Sequence, residues 1–212
     1  MSIEKAYNQW SSQYDTNKNR TRDLDKKVTT EVLSNVHFQS VLELGCGTGK
    51  NTEWLQTRSE SVFSVDFSEE MLKIARKKIN AENVSFQKAD ITQPWNWTDG
   101  KFDLITCNLI LEHIKDLSFI FQEAYSKLKS GGYFFISELH PFKQYIGSKA
   151  RFETKGKIIE LETYTHHISE FLNSAISAGF QMKQLDEWFD PDKTDPPRIL
   201  SLLFQKPQNT DF

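Results

Sequence analysis

The chain has 212 residues, 38% of them hydrophobic, 13% aromatic and 26% charged, with a formal net charge of −3. These totals describe one globular domain with a substantial core, and they exclude a disordered chain and a membrane-embedded one. A mild negative charge gives no electrostatic reason to expect a nucleic-acid partner.

The N-terminus, MSIEKAYNQW, lacks the apolar core of a secretory signal, and no apolar run approaches the ~20 residues that cross a bilayer, so a cytoplasmic location is expected. Ile3, Ala6, Tyr7, Trp10 and Tyr14 fall near helical spacing, giving an N-terminal helix one face with three aromatics. That stripe reads either as core packing or as a lid over a ligand. Asp15 to Asp25 is polar and reads as a loop, followed by a second helix from about Leu24 to Val36. The apolar strand Val41 to Leu44 then runs into a loop with glycines at 45, 47 and 49, and Lys50 to Thr57 reads as a helix. Glycines at alternate positions let the main chain turn sharply and approach a ligand closely. A strand, such a loop and a helix start together suit a nucleotide-type ligand.

Ser61 to Asp66 is a second strand ending in a carboxylate, and Ser68 with Glu69 and Glu70 starts a helix that reaches about Ile79. Asn83 to Ala89 alternates as a third strand and again ends in an acid, Asp90, followed by Ile91. In an open parallel sheet these carboxyl ends line one edge, so Gly45, Asp66 and Asp90 converge where ligands bind. Pro94, Trp95 and Trp97 read as cover for the sheet edge. A fourth strand, Lys101 to Cys107, leads into Asn108, Leu109 and the run to His113. A helix from Leu117 to Leu128, a stop at Ser130 to Gly132 and a buried fifth strand, Tyr133 to Glu138, follow. Cys46 and Cys107 each lie at a strand end and fit reduced thiols better than a disulfide.

Leu139 to Glu162 reads as irregular and sits beyond the same edge, which makes 139–165 a candidate substrate cap. The chain closes with a helix from Ser169 to Ala178, Gly179, and two strands, Phe180 to Phe189 and Arg198 to Gln205, which should pair antiparallel. His166 and His167 are adjacent and lack a third ligand at metal spacing, so no metal is expected. Lys73, Arg76, Lys77 and Lys78 read as a solvated helix face. Asp195-Pro196-Pro197-Arg198 looks like a base-methylating signature but stands in the terminal turn, and the place after the fourth strand reads Asn108-Leu109-Ile110-Leu111.

With the loop E-L-G-C-G-T-G and the acids on the next two strand ends, the chain resembles the class I S-adenosylmethionine-dependent methyltransferases, especially those acting on small molecules. Glycine spacing of two and two differs from the G-x-G-x-x-G of NAD-binding loops. The resemblance covers 41–138 closely and the ending more loosely. It implies an α/β, Rossmann-like, doubly wound seven-stranded sheet, mostly parallel with an antiparallel C-terminal hairpin, in the order 3-2-1-4-5-7-6. It implies S-adenosylmethionine as cofactor and S-adenosylhomocysteine as product. Gly45, Gly47 and Gly49 would approach the methionine portion, and Glu43 would support the loop or the ammonium. Asp66 would bind the ribose hydroxyls, Asp90 the adenine amino group, and Ile91 and Phe67 the two ring faces. Asn108 and Leu109 would border the sulfonium. Tyr7, Trp10 and Tyr14 match the family's lid pattern, which makes 1–38 a helical lid within a single domain, 1–212.

An activated methyl group needs only an aligned nucleophile at about 3 to 3.5 Å and exclusion of water, so a base is required only for acceptors that lose a proton. Candidates by position are His140 and Glu138 as catalytic groups, with His113, His140 and Tyr145 near the substrate. The expected reaction is methyl transfer to an O or N atom of a small acceptor. A protein methyltransferase and a non-catalytic cofactor-binding subunit are the alternatives. The acceptor and the oligomeric state are not legible.

Overall fold

The computed structural model describes residues 2–16, 18–148, 151–154, 157–191 and 196–208, with the backbone alone for 151–154, 157 and 158. Side chains alternate across a strand, and the central strand β1 (Ser40–Leu44) shows what that does here. Val41 packs toward one helical layer, while Leu42 and Leu44 pack toward the other. On the first side Val41 joins Val62, Leu104, Phe135 and Leu203 under α2 (Arg20–Leu33), through Val28, Val32 and Leu33. On the second, Leu42, Ile105, Phe134 and Ile136 lie under α5 (Leu117–Lys127) and α7 (Ile168–Ala178). Phe121 of α5 holds that layer together, meeting Phe134, Phe180 and Phe204 edge-on at 5.3, 6.2 and 5.7 Å. A sheet covered on both faces explains the nearly continuous burial of its inner strands such as β1 and β9.

The remaining strands are β2 (Ser61–Asp66), β3 (Val84–Lys88), β4 (Phe102–Asn108), β5 (Leu128–Leu139), β6 (Arg151–Thr154), β7 (Lys157–Glu160), β8 (Gln181–Trp188) and β9 (Ile199–Gln205). Seven of them form one sheet in the order β3-β2-β1-β4-β5-β9-β8, parallel through β5 and antiparallel in β9 and β8. This is the expected order, 3-2-1-4-5-7-6, once the separate β6–β7 hairpin is set aside. The other helices are α1 (Ile3–Tyr14), α3 (Thr52–Leu55), α4 (Glu69–Lys78) and α6 (Pro141–Tyr145). Ser68 caps α4 by accepting from the Met71 N–H at 3.2 Å, with Glu69 and Glu70 in the first turn and Arg76, Lys77 and Lys78 in the last. Those charges oppose the helix dipole at each end. Among the described residues no helix is long and apolar enough to cross a membrane.

Several boundaries differ from the sequence reading, each for a local reason. α2 begins at Arg20, inside the stretch read as a loop, because Asn19 caps it by accepting from the Arg22 N–H at 3.0 Å. Only Thr52–Leu55 of the expected 50–57 helix forms, since the glycine turn continues through Lys50. The glycines at 131 and 132 do not end α5; the chain enters β5 at Leu128, with Gly131 in the left-handed region inside it. Among the described residues of 139–162, a stretch read as irregular, α6 and the strands β6 and β7 form. Residues 192–195 of the terminal turn and 209–212 of the tail lie outside the described residues. Arg198 pairs with Asp190 at 2.7 and 2.5 Å. Both cysteines are free and buried.

Candidate active site

The strand tips converge. In the β1–β4 register Leu44 stands opposite Cys107, which places Gly45 beside Asn108, and β2 and β3 end at Asp66 and Lys88 on the same edge. Above this edge opens a cavity of about 460 Å³. Of the residues singled out in the sequence, Tyr7, Tyr14, Gly45, Gly47, Asp66, Phe67, Asp90, Ile91, Asn108, Leu109 and His113 line it. A depression of similar volume lies on α2 around Asp23, Lys26 and Lys50, away from every strand tip.

Gly47, at φ +54°, points its α-hydrogen side into open space, and an added Cβ there would meet nothing within 4 Å. Gly45 and Gly49 differ: a Cβ would stand 2.6 Å from Ile110 Cγ2 and 2.6 Å from Ile79 Cδ1. Gly49 thus packs the loop on the Ile79 end of α4 and does not line the cavity. Asp66 accepts from the Gly47 N–H at 2.9 Å and the Ser68 N–H at 2.8 Å, tying loop to strand tip. At 7% exposure, burial pushes its pKa up to about 6, against the pull of those backbone donors. Asp90 is exposed and accepts from the Thr92 N–H and hydroxyl at 2.9 and 2.7 Å.

Glu43 lies beneath the loop instead of in the cavity. Its Oε2 accepts from Thr52 Oγ1 at 2.5 Å and Ser64 Oγ at 2.7 Å, and burial raises its pKa to about 7. Its two donors flank the glycine loop, Thr52 after it and Ser64 on the neighbouring β2. Trp10 also lies outside, buried with Ala6 and Leu161. The rest of α1 closes the cavity from above. Ser68 Oγ donates to Asn8 Oδ1 at 2.6 Å, Thr48 Oγ1 donates to Asp15 Oδ1 at 2.7 Å, and Lys88 pairs with Glu4 at 2.8 Å. Tyr7 meets Phe67 edge-on at 5.8 Å and His113 at 5.6 Å.

The expected catalytic positions are redistributed. His140 is buried away from the cavity and caps α6: its Nδ1 accepts from the Phe142 N–H at 3.1 Å and its Nε2 donates to Glu187 at 2.9 Å. Burial lowers its pKa, with Glu187 opposing. Glu138 takes the Ile110 and Leu111 N–H groups on one oxygen, both at 2.9 Å, and burial drives its pKa well above the carboxylate range. It fixes the turn after β4, where Leu109 holds φ +55°, a left-handed conformation that costs about 1 kcal/mol for a residue with a Cβ. Tyr145 is exposed and bonds His167 Nδ1 at 2.5 Å. His166 donates to the Ile114 carbonyl at 2.7 Å.

Of the four candidates only His113 faces the cavity. Its Nδ1 lies 3.0 Å from the Glu162 carbonyl, which can only accept, so Nδ1 carries the proton. In the neutral ring Nε2 is therefore the acceptor, and it receives the Tyr7 hydroxyl at 2.9 Å. The pair joins α1, the turn after β4 and the segment after β7 above the strand tips.

Sequence reasoning missed a buried polar group behind the cavity wall. Asp25 of α2, 4% exposed, accepts from Asn108 Nδ2 at 2.8 Å and Asn51 Nδ2 at 3.0 Å. Thr29 Oγ1 accepts the second Asn108 N–H at 2.9 Å. Nothing in the sequence flagged it, because Asp25 was assigned to the end of a polar loop.

A doubly wound sheet with a glycine turn after β1 and acids at the tips of β2 and β3 is the arrangement of the class I methyltransferases. Residues 42–136 match the methyltransferase domain family. The chain is 36% identical over 127 residues to phosphoethanolamine N-methyltransferase 1 of Arabidopsis thaliana, covering 56% of this chain and 26% of that protein. It is 29% identical over 112 residues to the ubiquinone biosynthesis O-methyltransferase of Nitrosomonas europaea, covering 52% and 48%. It therefore spans about half, or less, of these two relatives. An S-adenosylmethionine-dependent methyltransferase from Clostridium acetobutylicum shares its fold, with a TM-score of 0.71 at 21% identity over 95% of this chain and 99% of that one.

Proposed function

We propose that this chain transfers a methyl group from S-adenosylmethionine to an O or N atom of a small acceptor, in the cytoplasm and without a nucleic-acid partner. One observation carries the reading: Gly47, Asp66, Asp90 and Asn108, from four separate strand ends, border a single cavity. The residues fit the cofactor. A volume of about 460 Å³ is within the usual range for small-ligand sites, and the open side of Gly47 lets a ligand approach bare backbone. When bound, the cofactor supplies a methyl group activated by a cationic sulfur.

The protein's part is binding, alignment and protection from water. Asp66 presents a buried carboxylate to vicinal hydroxyls, Asp90 and Ile91 hold the purine end, and Phe67 covers it. Gly45, Gly47 and Leu109 form the floor at the methionine end. Residues 1–38 act as lid and 139–165 as acceptor cap of a single domain, and Tyr7 with His113 joins the two. For an acceptor that must lose a proton, His113 Nε2 is the base, its tautomer set by the Glu162 carbonyl. The Tyr7 hydroxyl relays to it at 2.9 Å.

The enclosure of the cavity by α1 favours a small acceptor over a protein side chain. A screen of metabolite alcohols, phenols and amines with methyl-labelled cofactor tests this. Label in one or more small acceptors is expected. Label only in added protein, or none with a chain that binds the cofactor, would replace this reading with one of its two alternatives.

A further inference from the structure

The amide of Asn108 has two N–H donors and one carbonyl oxygen. Both donors are taken on the α2 side, one by Asp25 at 2.8 Å and one by Thr29 at 2.9 Å. A single atom contacts both partners, and the Asp25 carboxylate needs a donor, so this assignment fixes the amide orientation. Asn108 also lines the cavity. Its remaining polar atom is Oδ1, an acceptor, on the residue directly across from Gly45 at the sheet edge.

Asp25 is held in turn. Asn51, just after the glycine loop, donates to its other oxygen at 3.0 Å. The carboxylate thus bridges the loop after β1 and the tip of β4, the two walls of the cavity's methionine end.

We infer that Asp25 is a positioning residue for the ligand site: by taking an Asn108 N–H it leaves Asn108 Oδ1 as the acceptor for the α-ammonium of the cofactor. This rests on the reading that the cavity binds S-adenosylmethionine. No part of it depends on the identity of the methyl acceptor.

Calorimetric titration of the full chain with S-adenosylhomocysteine, and with the analogue lacking the α-amino group, tests it, alongside thermal melting of each variant. Wild type should bind the homocysteine compound at least tenfold more tightly than the deaminated analogue. Asn108→Leu removes the acceptor and should bind the two within threefold of one another. Asp25→Ala removes the acceptor, frees the Asn108 amide and should weaken S-adenosylhomocysteine at least tenfold. The exchange Asp25→Asn with Asn108→Asp restores a donor facing an acceptor, and should recover affinity to within threefold of wild type. A merely structural role would lower melting temperature without erasing the discrimination between the two ligands. Wild-type discrimination in Asn108→Leu, or an exchanged pair as weak as Asp25→Ala, overturns the inference alone. A folded wild type that binds neither ligand overturns the function reading beneath it.

Discussion

The Asp66 carboxylate receives the Gly47 N–H at 2.9 Å, so the tip of β2 and the turn after β1 form one unit. Either residue alone is an ordinary feature of a sheet. Joined, they place a buried acid against bare backbone at the mouth of the cavity. Replacing Asp66 by Ala should weaken S-adenosylhomocysteine by about 1.5 to 3 kcal/mol, the range for losing a charge-assisted hydrogen bond. Burial holds the Asp66 pKa at about 6, and the ionised form is the better acceptor. Affinity measured by calorimetry should therefore fall as pH drops through about 6. A flat profile between pH 8 and 5 would remove Asp66 from the site.

The glycines separate binding from packing. Gly47→Ala and Gly49→Ala both place a Cβ at positive φ, costing about 1 kcal/mol each. Only at Gly49 does that Cβ strike a packed neighbour, Ile79 Cδ1 at 2.6 Å. Gly49→Ala should show the larger fall in melting temperature, and Gly47→Ala the larger loss of ligand affinity, because its methyl enters the cavity. Equal losses of affinity would contradict this division.

Glu43 gives a pH-dependent stability signal that is independent of ligand. Its folded pKa is about 7 against an ordinary 4.5, because burial disfavours the charge. The folded state therefore holds its proton more tightly than the unfolded state, and the resulting stability is complete below pH 4.5 and lost as pH rises to 7. Glu43→Gln cannot ionise. Its stability relative to wild type should rise across that window by on the order of 1 to 3 kcal/mol and level off above pH 7. A constant difference from pH 4.5 to 8 would show that Glu43 is not held neutral.

Much of the site was legible because its chemistry sits where strands end. Apolar runs broken by glycine or an acid mark Gly45, Asp66 and Asp90 without knowledge of tertiary contacts. The start of α2 at Arg20 reads as loop in the sequence, and the burial of Asp25 was not legible because its partners are at 51 and 108, far along the chain. Arg22 shows the same problem: it falls in the stretch read as a polar loop, yet its guanidinium lies 3.9 Å over the Tyr14 ring. Which histidine faces the cavity was not legible for a related reason. His140 follows β5 directly and His113 stands five residues beyond β4, yet of the two it is His113 that lines the cavity.

His113→Ala should reduce methyl transfer to a proton-losing acceptor by about 10²- to 10⁴-fold, the usual contribution of a positioned base. S-adenosylhomocysteine binding should stay within threefold of wild type, which separates a role in transfer from one in holding the cofactor. Comparable losses in both assays would make His113 part of the lid's attachment only. Tyr7→Phe leaves the ring contacts with Phe67 and His113 in place and removes the hydroxyl, so its transfer rate should fall while its melting temperature holds.

The central claim is that the edge formed by Gly45, Gly47, Asp66, Asp90 and Asn108 binds S-adenosylmethionine. Titration calorimetry of the folded wild-type chain at pH 7.5 measures it directly (an assay condition chosen at about 1.5 units above the Asp66 pKa of about 6). The account predicts saturable binding at one site per chain, abolished or weakened by Asp66→Ala. No heat of binding from a chain whose melting curve shows it to be folded would contradict it.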